Sequence, residues 1–140
     1  MPYQGVLKLY RKLRLSSYRS IYKNIKDREG SLSATEAYAV DAIFLLGEPT
    51  IKQFSDFLGI SQPNATYKVN SLIGKGYVEK VQSETDRRKM CLRVTEKFHR
   101  YYDNAEKLID EAAARLRDKF SPDEMGTFDR ILNELADAIN

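Results

Sequence analysis

The chain has 140 residues, 42% of them apolar and 31% charged, with a formal net charge of +3, which suits one domain or one small domain with helical extensions. One cysteine, Cys91, excludes an internal disulfide, and with one histidine, His99, there is no Cys/His cluster for zinc and no evident Ser-His-Asp set. No window approaches the ~18 uninterrupted apolar residues of a membrane-spanning helix. There is no glycine-rich phosphate loop, and Met1 to Tyr10 lacks the apolar core and cleavage site of a secretory signal. These exclusions predict a cytoplasmic protein without metal or cofactor, and not an enzyme.

The net charge hides a strong partition. Residues 1–30 carry eight basic against two acidic side chains, residues 31–60 one against four, residues 61–100 nine against four, and residues 101–140 five against ten. The basic block over 61–100 is where a nucleic-acid surface is to be sought.

In chain order, Tyr3 to Ile25 reads as an amphipathic helix, with Val6, Tyr10, Leu13, Ile21 and Ile25 at helical steps. Asp27 to Ser31 is a break. Ser33-Ala34-Thr35-Glu36 has the form of a capping box and opens a helix to about Leu46 that buries Ala39, Ile43 and Leu46. Thr50 to Gln53 is a second such box, opening a short helix that buries Ile51, Phe54 and Leu58 and stops at Gly59. Ser61 caps a third helix to about Ile73, with Pro63 tolerated in its first turn, and Gly74 to Gly76 closes it. Two helices joined by the short turn Leu58-Gly59-Ile60-Ser61 form a helix-turn-helix pattern.

Tyr77 to Val81 then alternates like a strand, and Arg88 to Thr95 does so again with Met90, Leu92 and Val94 on one face. A hairpin with a charged tip directly after a helix-turn-helix is a wing. One long helix is predicted from Thr95 to Lys119, with Phe98, Tyr102, Ala105, Ile109, Ala112 and Leu116 along a stripe. Ser121 to Glu124 caps a last helix whose Met125, Phe128, Leu132, Leu135 and Ile139 have the spacing of a helix–helix seam.

The fold class predicted is mainly α with a small β wing: a winged helix-turn-helix domain at 33–97, flanked by dimerisation helices at 1–32 and 98–140. Terminal helices this long cannot hide their stripes on so small a domain. Val6, Tyr10, Leu13, Leu116, Phe128, Leu132, Leu135 and Ile139 are therefore the candidate homodimer interface. A twofold dimer suits a pseudo-palindromic DNA site.

On the third helix Ala65, Val69 and Leu72 share one face and are expected to be buried. The opposite face holds Pro63, Asn64, Tyr67, Asn70 and Ser71, with Gln62, Thr66 and Lys68 on its flanks and Ser61 at its start. The amides of Asn64 and Gln62 suit paired hydrogen bonds to adenine, and Tyr67 suits a thymine methyl or a phosphate. Lys68 and Lys75 suit the backbone, which positions without specifying. Arg87, Arg88 and Lys89 at the wing tip complete the candidate contacts to double-stranded DNA.

Three stretches resemble the MarR family of bacterial regulators: Leu58 to Pro63, Leu72 to Lys80, and the wing from Asp86-Arg87-Arg88 through Leu92-Arg93-Val94-Thr95-Glu96-Lys97. The resemblance spans residues 33–98, and the terminal helices in pattern only. Phe98 departs from it, standing where the family usually has a glycine that eases the bend into the long helix. The resemblance implies a homodimer with recognition helices in successive major grooves and wings at the flanking minor grooves. It also implies an Asp86–Arg88 ion pair bracing the tip, with Arg87 and Lys89 left for the groove, although the sequence does not choose which of Arg87 and Arg88 inserts and which braces. A pocket between the dimer helices and the DNA-binding domain is a further implication, and the many tyrosines suit a small aromatic or acyl effector there. The function expected is a sequence-specific transcriptional regulator, usually a repressor in such a family; the alternative is a winged-helix module that binds an acidic protein partner.

Overall fold

The computed structural model describes residues 2–24, 31–102 and 105–140. Its elements are α1 (Gln4–Asn24), α2 (Ala34–Leu45), α3 (Ile51–Leu58), α4 (Gln62–Gly74), β1 (Val78–Gln82), β2 (Met90–Val94), α5 (Glu96–Tyr101), α6 (Ala105–Leu116) and α7 (Pro122–Asp137). They fall into two compact units, Met1–Ala105 and Glu106–Asn140.

Local chemistry starts each helix of the first unit where the sequence places it. Ser33 accepts from the Glu36 amide while the Glu36 side chain accepts from the Ser33 amide, and Thr50 with Gln53 repeats the exchange. Such pairs satisfy amides that have no partner within the helix. Gly59 ends α3 in the left-handed region at φ 68°, and Ser61 caps α4 through the Asn64 amide. The turn between the two helices is thereby fixed at both ends.

The core lies where α2, α3, α4 and the hairpin meet: Val40, Ile43, Phe54, Ala65, Val69, Leu72, Tyr77, Leu92 and Phe98 are all buried. β1 and β2 pair antiparallel with Val78 opposite Val94 and Gln82 opposite Met90. The Leu92 amide also donates to the Pro49 carbonyl at 2.8 Å, tying the α2–α3 connection to the outer edge of β2. Phe98 is buried at the exit from the wing, in the first turn of α5. Its ring packs 5.2 Å from that of Phe44 and stacks on Tyr102, filling the base of the domain.

Three expectations are corrected. Leu46 is 38% exposed, because α2 ends at Leu45 and Leu46 is its cap residue. Met90 is half exposed, since it pairs with Gln82 at the end of the hairpin beyond the reach of the core. The single long helix from Thr95 is instead a six-residue α5, after which Tyr102 leaves helical geometry and buries its ring against Tyr77 and Phe98. The expected helical position of Ile25 and the break over 27–30 fall outside the described residues. The second unit contains α6 and α7, the latter opened by the Ser121–Glu124 capping box, and none of their side chains is buried. Among the described residues no helix is long and apolar enough to cross a membrane.

Candidate nucleic-acid interface

The third-helix prediction of an inner and an outer face is met by α4. Ala65, Val69 and Leu72 are buried, whereas Ser61, Gln62, Pro63, Asn64, Tyr67 and Asn70 are exposed, with Thr66 and Lys68 between. Among the described residues no hydrogen bond engages the side-chain amides of Gln62, Asn64 or Asn70. Ser61 spends its hydroxyl on the Asn64 amide, which leaves it a capping duty.

The C-terminal half of α4 is held differently. Ser71 donates to Glu36 Oε2 at 2.7 Å, and Lys75 Nζ lies 2.8 Å from Glu36 Oε1 and also donates to the Ser31 carbonyl. Glu36 thus serves its own capping box and grips the end of α4 across 35 and 39 residues of sequence. Burial opposes its ionisation, but the hydrogen bonds from Lys75, Ser71 and Ser33 outweigh that penalty and bring its carboxyl from 4.5 to about 2. Beyond the helix end, Lys97 donates to the Lys75 carbonyl at 2.7 Å and lies over the Tyr77 ring, placing a cation at the negative end of the helix dipole.

The wing tip is built from short polar links. Asp86 Oδ1 accepts from both the backbone amide and Nε of Arg88, at 3.0 and 3.1 Å. The Arg88 guanidinium holds the Asp86 carboxyl below its ordinary range. Gln82 donates to the Arg87 carbonyl, and Ser83 accepts from the Asp86 amide, so the backbone on both sides of Arg87 is fixed. Arg87 and Lys89 are exposed, and among the described residues no side chain pairs with the Arg87 guanidinium. At the other end of the hairpin, Arg93 meets Glu48 at 2.6 Å and anchors β2 to the α2–α3 connection.

Sequence reasoning missed Glu36 as a grip, Gln82 as a wing brace and the Glu48–Arg93 pair. Only the first left a trace, as half of a capping box. The remaining candidates lie elsewhere. Val6 and Leu13 are half-buried and Tyr10 exposed on α1, where Arg14 lies over the rings of both Tyr10 and Tyr18. In the second unit Leu116, Phe128 and Ile139 are exposed, with Leu132 and Leu135 partly covered. Among the described residues no three metal-binding side chains converge.

Two short helices with a fixed turn, an outward polar face on the second, and a braced basic hairpin make a winged helix. Residues 31–89 match the family model of the MarR family. Over that span the chain is similar to the MarR family. Solved structures with the MarR fold cover nearly the whole chain. Streptococcus pneumoniae FabT in complex with DNA is 23% identical, with 96% of this chain and 95% of that one aligned at a TM-score of 0.52. A mutant of MarR from Escherichia coli, complexed with operator DNA, is 16% identical with 94% of each chain aligned at 0.51. A MarR-like transcriptional regulator from Thermotoga maritima is 23% identical over 95% of each chain at 0.50. At these identities the likeness is one of fold. No curated protein matches the sequence.

Proposed function

We propose that this protein is a homodimeric, sequence-specific DNA-binding transcriptional regulator of the MarR type, acting as a repressor at a pseudo-palindromic operator. The observation that carries the reading is the pairing, among the described residues, of an unengaged outward face on α4 with an unpaired Arg87 guanidinium on a wing braced through Gln82, Ser83, Asp86 and Arg88. A side chain held in place by its backbone but not by a partner is arranged to meet something outside the molecule. The surrounding charge is basic, and two relatives of the same fold are seen with DNA. Gln62, Asn64 and Asn70 read base edges from the major groove, Lys68 and Thr66 contact phosphates, and Arg87 with Lys89 enters the flanking minor groove. Arg88 stays with Asp86, and Ser71 and Lys75 stay with Glu36.

Selection of bound sequences from a randomised duplex library, with affinity for the winner followed across salt, tests this. An enriched inverted repeat with half-sites about one helical turn apart and a steep salt slope supports it. Weak, sequence-blind binding overturns it and favours an acidic protein partner instead.

A cleft of about 640 Å³ between α1 and α5 supports control by a small molecule. Arg19, Lys23 and Arg100 line it together with Tyr101 and Tyr102, so its chemistry suits an aromatic or acyl carboxylate. The expected result is that benzoate- or fatty-acid-type anions raise the thermal unfolding midpoint, and that Arg100→Ala abolishes the rise.

A further inference from the structure

We infer that Tyr67 and Pro63 form an apolar strip that reads thymine C5-methyl groups, which makes this an A·T-directed reader whose sites are sensitive to loss of that methyl. The inference rests on the DNA-binding reading above. Tyr67 is 77% exposed, more than any other large apolar or aromatic side chain among the described residues. It stands at the centre of the α4 face opposite Ala65, Val69 and Leu72, and no ring, cation or hydrogen bond within the described residues engages it. Pro63 lies one turn earlier on the same face and is also exposed, so the two make a continuous apolar surface on an otherwise polar helix. With Ser71 withdrawn to Glu36, the polar groups left beside this strip are the amides of Gln62, Asn64 and Asn70. Charge complementarity fixes the class of occupant. Lys68 flanks the strip on α4, and the sequence block that contains them, residues 61–100, carries nine basic against four acidic side chains, which suits a polyanion rather than an apolar protein groove. In the major groove an A·T pair presents the adenine N6/N7 edge to an amide and, beside it, the thymine methyl to an apolar side chain. An aromatic ring flanked by amides matches both features of one base pair.

The test uses the full-length protein and the enriched duplex, with thymines replaced by uracil one position at a time. Removing a contacted methyl is expected to weaken binding about fourfold, at one or two positions in each half-site. Tyr67→Ala should bind the thymine and uracil duplexes alike, and Tyr67→Phe should keep the discrimination of the parent. Equal binding of both duplexes at every position overturns the inference alone and leaves sequence-specific binding standing, as does discrimination that survives in Tyr67→Ala. Loss of affinity in Tyr67→Phe without any thymine preference assigns the phenol to a phosphate and overturns it too. Failure to enrich any repeat overturns the regulator reading and this inference with it.

Discussion

Among the residues of the wing, the two adjacent arginines have different surroundings despite their identical chemistry. The Arg88 guanidinium is already neutralised by Asp86, whereas that of Arg87 meets no carboxylate among the described residues. If binding releases counterions in proportion to the phosphates newly neutralised, only the unpaired cation contributes fully. Arg87→Ala should therefore make the slope of log affinity against log salt shallower by about 0.9, while Arg88→Ala changes it by less. The two slopes, measured on one duplex by fluorescence anisotropy, check this, and equal losses would contradict the assignment of brace and insert. Lys75 belongs with Arg88 in this respect. Its ammonium is held by Glu36, so Lys75→Ala should leave the salt slope nearly unchanged and lower folding stability instead, by about 1 kcal/mol.

At the scale of elements, Glu36 couples the start of α2 to the end of α4, so its ionisation is linked to the stability of the domain. Its carboxyl is depressed from 4.5 to about 2 in the folded state, which means the native state binds fewer protons than the unfolded one across that window. The stabilisation is complete above pH 4.5 and is lost as pH falls towards 2. Glu36→Gln should cost about 1–2 kcal/mol at neutral pH, with the gap to the parent narrowing between pH 5 and 3 in chemical denaturation. A gap independent of pH would show that the charge carries none of it. The exit of α4 offers a backbone test of the same joint. Gly76 sits at φ 82° with the Lys97 side chain 3.7 Å from where a Cβ would be, so space is adequate and conformation is not. Gly76→Ala should lower the unfolding free energy by about 1–2 kcal/mol, the cost of holding an L-residue in the left-handed region.

These elements also show what could be read from sequence. Ser33 with Glu36, Thr50 with Gln53 and Ser121 with Glu124 are exchanges over three residues, so the chain itself specifies them and helix starts are legible. The inner and outer faces of α4 follow from its period for the same reason. The end of α5 was not legible. Tyr102 is an acceptable helix residue, and its departure from helical geometry coincides with long-range contacts that periodicity does not show: the rings of Tyr77 and Phe98, and the hydrogen bonds of Ser20 and Asn24 to the Tyr101 carbonyl. The grip of Glu36 on Ser71 and Lys75 was hidden likewise, because it joins residues 35 and 39 positions apart that periodicity treats as independent.

For the whole molecule, the two units stand in contrast. The first has a closed core of some size, whereas α6 and α7 bury no side chain and leave Leu108, Ile109, Leu116, Met125, Phe128, Ile131 and Ile139 open to water. Two helices with so much apolar surface need a cover, and a twofold copy of the same chain is the commonest closed solution. The α7 residues Phe128, Leu132, Leu135 and Ile139 repeat at the three- and four-residue steps of a seam, so the expected species is a dimer at micromolar concentration. Sedimentation velocity should show it, and the pair Phe128→Glu with Leu135→Glu should shift the chain to monomer, since two carboxylates facing their own copies cannot be desolvated. The winged helix, whose core contains neither residue, should still bind one half-site. A duplex with two half-sites would then lose the advantage of the second, and the ratio of two-site to one-site affinity should fall towards one. If the double variant remains dimeric with that ratio intact, the seam lies elsewhere, with the α1 residues Val6, Tyr10 and Leu13 next to be substituted.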